Sequence, residues 1–108
     1  MSAIDKFKAH YEASERRKLH IEELALDVYC RPMTIGEQSK IDSKVKAKEG
    51  NHFDAAVYTI IEKCEDENGA KLFTLDDKQA LMKFSDAKLL ADLGNWIVSG
   101  GVDHEKNS

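Results

Sequence analysis

Hydrophobic residues at helical spacing run through most of this chain, and they predict five helices. The clearest stripe begins after Asn51, where apolar residues recur three and four positions apart without a miss. It consists of Phe53, Ala56, Val57, Ile60, Ile61 and Cys64. We expect this third helix to be the central core helix, because each large side chain contributes about 1.5–3 kcal/mol when buried.

Three further helices are predicted after Pro32. Each is predicted from a weaker apolar stripe and from a capping residue at its start. The second starts at the capping box Thr34-Ile-Gly-Glu37 and stops at Gly50, with Gln38, Ile41 and Val45 inward. The fourth is capped by Thr74, with Leu75, Leu81 and Phe84 inward. The fifth is capped by Ser85-Asp86, carries Leu89, Leu90, Leu93, Trp96 and Ile97, and ends at Gly100-Gly101.

The first helix carries a narrow apolar stripe whose partner the pattern leaves open. Ser2 can cap it, with Asp5 in its first turn, and Ile4, Phe7 and Tyr11 form the stripe. These three side chains either join the core or form an exposed patch that docks on a partner or a second copy. The same choice applies to Trp96, because tryptophan is enriched at the centres of protein interfaces.

Between the first and the second helix, a strict alternation of apolar with polar or small residues predicts one small β-hairpin. Leu24, Leu26, Val28 and Cys30 alternate with polar or small residues, and Pro32 ends the strand. Leu19 and Ile21 are the inward positions of a partner strand, with the turn near Glu22-Glu23; a helix over residues 19–26 is the alternative. The predicted class is therefore α+β, mainly α, with about five helices and one N-terminal hairpin.

Length and composition fit one globular domain. The chain has 108 residues, of which 42% are hydrophobic and 33% charged. We expect a single domain over residues 1–101 and a flexible polar tail over 102–108. No window approaches the roughly 18 apolar residues of a membrane span, and the charged N-terminus has no secretory signal pattern. The expected location is therefore the cytoplasm, with no membrane partner.

The charge balance argues against nucleic acid as the main partner. The net charge is −4, whereas binding to phosphates needs a surplus of lysine and arginine. Lysines do gather on the second helix, at Lys40, Lys44, Lys46 and Lys48. We interpret them as a solvated helix face. A small DNA-associated or regulatory interaction domain that uses this face is the alternative function.

No residue pattern predicts an enzyme, a cofactor or a metal site. Cys30 and Cys64 fall at inward positions, where burial would leave the thiols unreactive. Asp66-Glu-Asn68-Gly69 resembles half of a calcium loop, but Cys64 and Leu75 would then occupy the first and last ligand positions. The histidines lack zinc-ligand spacing, and no glycine-rich phosphate loop is present.

Two motifs, one at the end of the hairpin and one in the turn after the third helix, carry information of a different kind. The first is a hairpin ending like V-x-V-R-x-[LM]-[ST]-x-x-E, matched by Val28, Cys30, Arg31, Met33, Thr34 and Glu37. The second is a turn like C-D-E-x-G-x-x-L-F-T, matched by Cys64, Asp66, Glu67, Gly69, Leu72, Phe73 and Thr74. With these two motifs, nearly the whole chain resembles the tail assembly chaperones of long-tailed bacteriophages. It departs from that family at Pro32 and in the hairpin turn, where Trp-Gly-Gly is common and this chain has Glu22-Glu-Leu-Ala25.

The resemblance implies a binding protein of the bacterial host cytoplasm, with no catalytic residues. Such chaperones coat the tape measure protein, keep it soluble and help recruit major tail protein subunits, and they are absent from the finished virion. They also tend to self-associate. Ile4, Phe7, Tyr11 and Trp96 are the residues that we predict for partner binding or self-association.

Overall fold

The computed structural model describes residues 2–99, and these residues form a mainly helical α+β fold with one hairpin, as predicted. The helices are α1 (Ala3–Ala13), α2 (Ile35–Ala47), α3 (His52–Lys63), α4 (Lys78–Phe84) and α5 (Ala87–Val98). The strands are β1 (Arg17–Ile21) and β2 (Leu26–Cys30), and 3₁₀ turns cover Glu22–Leu24 and Leu75–Asp77. The single domain over 1–101 stays a prediction, and the predicted flexible tail over 102–108 lies outside the described residues.

Helix α1 begins where the sequence predicts, but it contributes nothing to the core. Asp5 N donates to Ser2 Oγ at 3.3 Å and Ser2 N donates back to the Asp5 carboxylate, which completes a capping box. No residue of α1 is buried. The interpretation of its apolar stripe as core is therefore wrong, since Ile4 and Phe7 are 64% and 75% exposed.

Strands β1 and β2 form the predicted antiparallel hairpin, with Leu19 opposite Val28. Ile21, Val28 and Cys30 are buried, and helix forms only in the short turn Glu22–Leu24 rather than over residues 19–26. Leu24 was predicted to point inward and is 55% exposed. The reason is local, because Ala25 adopts a left-handed backbone (φ 50°) that separates Leu24 from the alternation of β2.

Helix α3 is the central core helix, as predicted. Its largest contact is with α5, and β2 and the hairpin lie against the same core. The fully buried side chains are Val28, Cys30, Ile41, Val57, Ile60, Cys64 and Ile97. Helices α3 and α5 approach closely at Gly94, where an added Cβ would lie 3.3 Å from Ala56 Cβ.

The end of α2 differs slightly from the prediction. The left-handed residue is Glu49 (φ 51°), and Gly50 N donates to Val45 O at 2.9 Å. Gly50 is needed for space rather than for its dihedral angles, because a Cβ there would lie 2.9 Å from the Asp54 side chain. Asp54 and Asn51 form the capping box that starts α3.

The connector between α3 and α4 closes on itself and on the hairpin. Gly69 adopts φ 87° in the turn, and Asp66 Oδ1 accepts from the backbone N–H groups of Asn68 and Ala70 at 2.8 and 3.0 Å. Glu65 exchanges backbone hydrogen bonds with Tyr29, so the connector extends the edge of β2. Leu72 and Phe73 pack on the core as predicted, being half-buried.

Helix α4 is shorter than predicted, because Leu75–Asp77 forms a 3₁₀ turn and the α-helix itself has seven residues. Leu81 packs on the core. Leu75 and Phe84 were predicted to face inward and are instead 54% and 76% exposed. Two turns of helix present only a narrow inward face, which Leu81 fills.

Helix α5 carries the predicted apolar stripe. Leu90, Leu93 and Ile97 are buried, and Leu89 and Trp96 pack against the core while partly exposed. Asp86 caps the helix by accepting from Lys88 N at 2.9 Å. The last helical residue is Val98, and the predicted stop at Gly100-Gly101 lies outside the described residues.

Candidate protein-binding surfaces

The exposed apolar side of α1 is the first candidate surface. Ile4 and Phe7 are largely exposed, and Tyr11, one turn further on, is half-buried. The helix has 11 residues, and isolated helices shorter than about 12–15 residues are marginally stable in water. Contact of another molecule with the apolar stripe would therefore stabilise this helix.

Trp96 lies in a separate open cleft of about 630 Å³. The cleft is lined by His10, Ser14, Glu15, Arg16, Arg17, Lys18, Pro32 and Trp96. The structure therefore brings Trp96 close to the C-terminal end of α1, but Ile4, Phe7 and Tyr11 do not line the cleft. Three successive basic residues line its wall, and two of them are paired with carboxylates: Arg16 with Glu65 at 3.5 Å and Lys18 with Asp27 at 3.8 Å.

Arg16, which lines this cleft, also binds the acidic turn after α3. Sequence reasoning missed this contact. Its guanidinium donates to Asp66 O at 2.9 Å and to Glu67 O at 2.6 Å, and it lies 3.5 Å from the Glu65 carboxylate. It also stacks over the Tyr29 ring, 5.3 Å from the centroid. The acidic turn after α3 is thus held by an arginine 50 positions earlier in sequence, a separation that no local pattern could reveal.

A second apolar surface lies beside α4, and the sequence did not predict it. A groove of about 530 Å³ is lined by Lys48, Leu75, Lys78, Gln79, Met82 and Lys83. Met82 also lines an adjoining hollow of about 240 Å³ with Phe53 and Leu90. The exposure of Leu75 and Met82, at 54% and 44%, is the observation that identifies the groove.

Lys63 is the buried charge of the fold, with 5% of its side chain exposed. Its ammonium donates to both Glu37 carboxylate oxygens, at 2.8 and 3.0 Å, and to Pro32 O at 3.3 Å. Sequence reasoning missed the pair, although Lys63 falls three positions after Ile60 and therefore on the buried side of α3. The contact joins the capping box of α2 to the end of α3.

The environment of Glu37 changes its acidity. Burial raises the pKa of this carboxyl and is the largest single influence. Hydrogen bonds from Lys63 and Thr34, together with the Lys63 charge, outweigh it, so the pKa of Glu37 lies below its usual value. The Glu37 carboxyl is therefore ionised at neutral pH.

Both thiols are buried, as predicted from their positions in the stripes. Burial raises the pKa of Cys30 to about 11 and that of Cys64, which also lies near Cys30, to about 12. A thiol nucleophile reacts as the thiolate, so neither group is prepared for catalysis at neutral pH.

Residues 2–99 contain neither a cluster of metal-ligating side chains nor a long apolar helix. No three histidine, cysteine, aspartate or glutamate side chains in this range are placed to hold a metal ion together. In the same range no helix has the length and apolar character needed to cross a bilayer.

The lysines of α2 are partly engaged with their own chain. Lys40 lies 3.4 Å from the Glu62 carboxylate, and the Lys44 ammonium lies 5.7 Å from the centroid of the Tyr58 ring. Lys46 and Lys48 are exposed. The face is thus less strongly positive than the sequence suggests.

Comparison with known proteins finds similarity among solved structures but not among sequences. No family model matches the chain, and no curated protein sequence matches it. Among solved structures, the fold is similar to that of the bacteriophage HK97 tail assembly chaperone, with a TM-score of 0.63. The match covers 93% of this chain and 95% of that chain, at 16% sequence identity. At this identity the likeness shows a shared fold.

Proposed function

We propose that this protein is a phage tail assembly chaperone that binds the tape measure protein in the cytoplasm of the bacterial host. It keeps that long client soluble, helps recruit major tail protein subunits, and is absent from the mature virion. The observation that carries the proposal is the uncovered apolar side of α1, on a fold similar to a tail assembly chaperone.

The mode of binding is helix against helix. An amphipathic segment of the client would lie along Ile4, Phe7 and Tyr11, with Trp96 at the nearby cleft as a second contact. Each large apolar side chain contributes about 1.5–3 kcal/mol when covered. A few such anchors on a charged surface give binding that is strong enough to hold the client and weak enough to release it.

The proposed role requires no catalytic group or cofactor, in keeping with the two protonated thiols. It includes self-association, because the same exposed apolar residues can be covered by a second copy. The alternative, a DNA-associated domain, would rest on the α2 lysines, two of which are engaged within the chain. It would predict DNA binding that weakens steeply with salt.

The test is co-expression with the tape measure protein of the same phage genome, with the soluble fraction of the client as the readout. We expect the wild-type chain to raise that fraction and Phe7→Asp to lose most of the effect, because it places a charge in the stripe. Ala9→Asp is the matched control, since Ala9 is exposed on the opposite side of α1 and should retain the effect. No gain in client solubility at any expression ratio would contradict the proposal.

A further inference from the structure

The tip of the hairpin is a small acidic projection with one apolar side chain. Glu22 and Glu23 are both exposed, and Leu24 between them and β2 is 55% exposed. Neither glutamate forms a salt bridge with any residue in the range 2–99. The 3₁₀ turn and the left-handed Ala25 hold the three residues in one defined shape.

The groove beside α4 has the opposite character. Its floor is apolar, from Leu75 and Met82, and its rim carries Lys48, Lys78 and Lys83. The Lys78 ammonium forms a salt bridge with the Asp54 carboxylate at 3.6 Å. Lys48 and Lys83 form no salt bridge with a described residue. Two uncompensated positive charges therefore flank an exposed apolar floor.

The two surfaces complement each other in both charge and polarity. The tip offers one leucine and two carboxylates, and the groove offers an apolar floor and two ammonium groups that form no salt bridge with a described residue, although that of Lys83 lies 5.4 Å from the centroid of the Phe84 ring. The whole chain has a net charge of −4, so two copies repel each other on average, and an attractive contact must come from local complementarity.

We propose that the Glu22–Leu24 tip of one copy docks in the α4 groove of a second copy, with Leu24 on Leu75 and Met82 and the two glutamates beside Lys48 and Lys83. The contact is head to tail, so each added copy presents a new free tip and a new free groove, and assembly can continue beyond two. The inference rests on the proposed function for the self-association itself, but it assigns the growing contact to the tip and the groove and leaves the α1 stripe to the client.

The contact is small, and its strength should depend on salt. One leucine with a charged rim falls well short of the roughly 1,000 Å² expected of a stable interface, so the association is weak and reversible. Exposed charge pairs are screened over about 10 Å at 0.1 M salt. We therefore expect assembly at high protein concentration and low ionic strength, and its loss as salt is added.

The test is the solution mass of the purified protein across a concentration series, by light scattering after size exclusion. We expect the mass of the wild-type chain to grow past two copies. Leu24→Asp and Met82→Asp should each remain single copies, whereas a mixture of these two variants should form two-copy complexes and nothing larger, because only one intact tip and one intact groove remain. Ile35→Asp, at an 87% exposed position elsewhere, is the matched control and should assemble like the wild type.

A charge exchange gives an independent readout. Glu22→Lys with Glu23→Lys should abolish growth, as should Lys48→Glu with Lys83→Glu, and mixing the two double variants should restore it because each altered surface again meets its opposite. The proposal is overturned if the wild-type chain stays a single copy at every concentration. It is also overturned if Leu24→Asp assembles as the wild type does, or if only Phe7→Asp blocks growth. None of these results would contradict the proposed function, because the solubility of the client is measured in a separate experiment.

Discussion

Lys63 shows how one buried charge can connect two elements. Its ammonium lies under the first turn of α2, where it neutralises Glu37 and satisfies the carbonyl of Pro32. Glu37 also completes the capping box of that helix, since it accepts from Thr34 N at 3.0 Å. One carboxylate therefore stabilises the first turn of α2 and also neutralises Lys63, the only charged side chain that is buried among residues 2–99.

The depressed pKa of Glu37 predicts a loss of stability in acid. The ionised carboxylate is favoured in the folded state, so its contribution is complete above its ordinary pKa of about 4.5 and disappears as pH falls through the lower folded value. Glu37→Gln should reduce stability at neutral pH by about 1.5–3 kcal/mol, the range for hydrogen bonds to charged groups. It should also flatten the fall in stability below about pH 4.5.

Urea unfolding at a series of pH values measures both effects. Glu12→Gln removes an exposed carboxylate from α1 and serves as the control, which should follow the wild-type curve. A Glu37→Gln curve with the wild-type slope in acid would show that Lys63 gains nothing from the ionised form.

At the scale of elements, the helix starts could be predicted and some of their faces could not. The capping box at Thr34 and the cap at Ser2 form as predicted, because each depends on residues three positions apart. Leu24 and Leu75 were placed inward by extrapolating a period, and both fall in 3₁₀ turns, where the direction of successive side chains changes. Periodicity predicts a face only while the backbone keeps one geometry.

The hairpin turn contains one residue, Ala25, whose backbone strain a glycine would relieve. Ala25 adopts a left-handed conformation, which costs a residue with a Cβ about 1–2 kcal/mol relative to glycine. Glycine is more flexible in the unfolded chain, so Ala25→Gly should yield a net gain of about 0.5–1 kcal/mol. The measurement is the midpoint of chemical unfolding.

The same exchange in a helix provides the contrast. Ala80→Gly, at an exposed position of α4, should lose about 1 kcal/mol because glycine disfavours the helical backbone. If Ala25→Gly loses stability as Ala80→Gly does, the left-handed conformation of Ala25 carries no strain worth relieving.

At the scale of the whole molecule, the sequence predicted the apolar side of α1 but not whether the body of the protein covers it. A stripe at helical spacing identifies which side chains seek a partner, and the partner depends on tertiary packing that the period does not encode. The core is completed by α3, α5 and the hairpin, which leaves Ile4 and Phe7 exposed. The groove beside α4 arises from the same cause, because a seven-residue helix cannot turn all its apolar residues inward.

We propose that the protein assists the assembly of phage tails, and the most direct test is to disrupt its gene in the phage or prophage that this proposal expects to encode it. Particles released after induction would be counted by electron microscopy. We predict heads without tails, with tails restored by supplying the wild-type chain or Ala9→Asp but not Phe7→Asp. Tails of normal number and length in the disrupted phage would contradict the account.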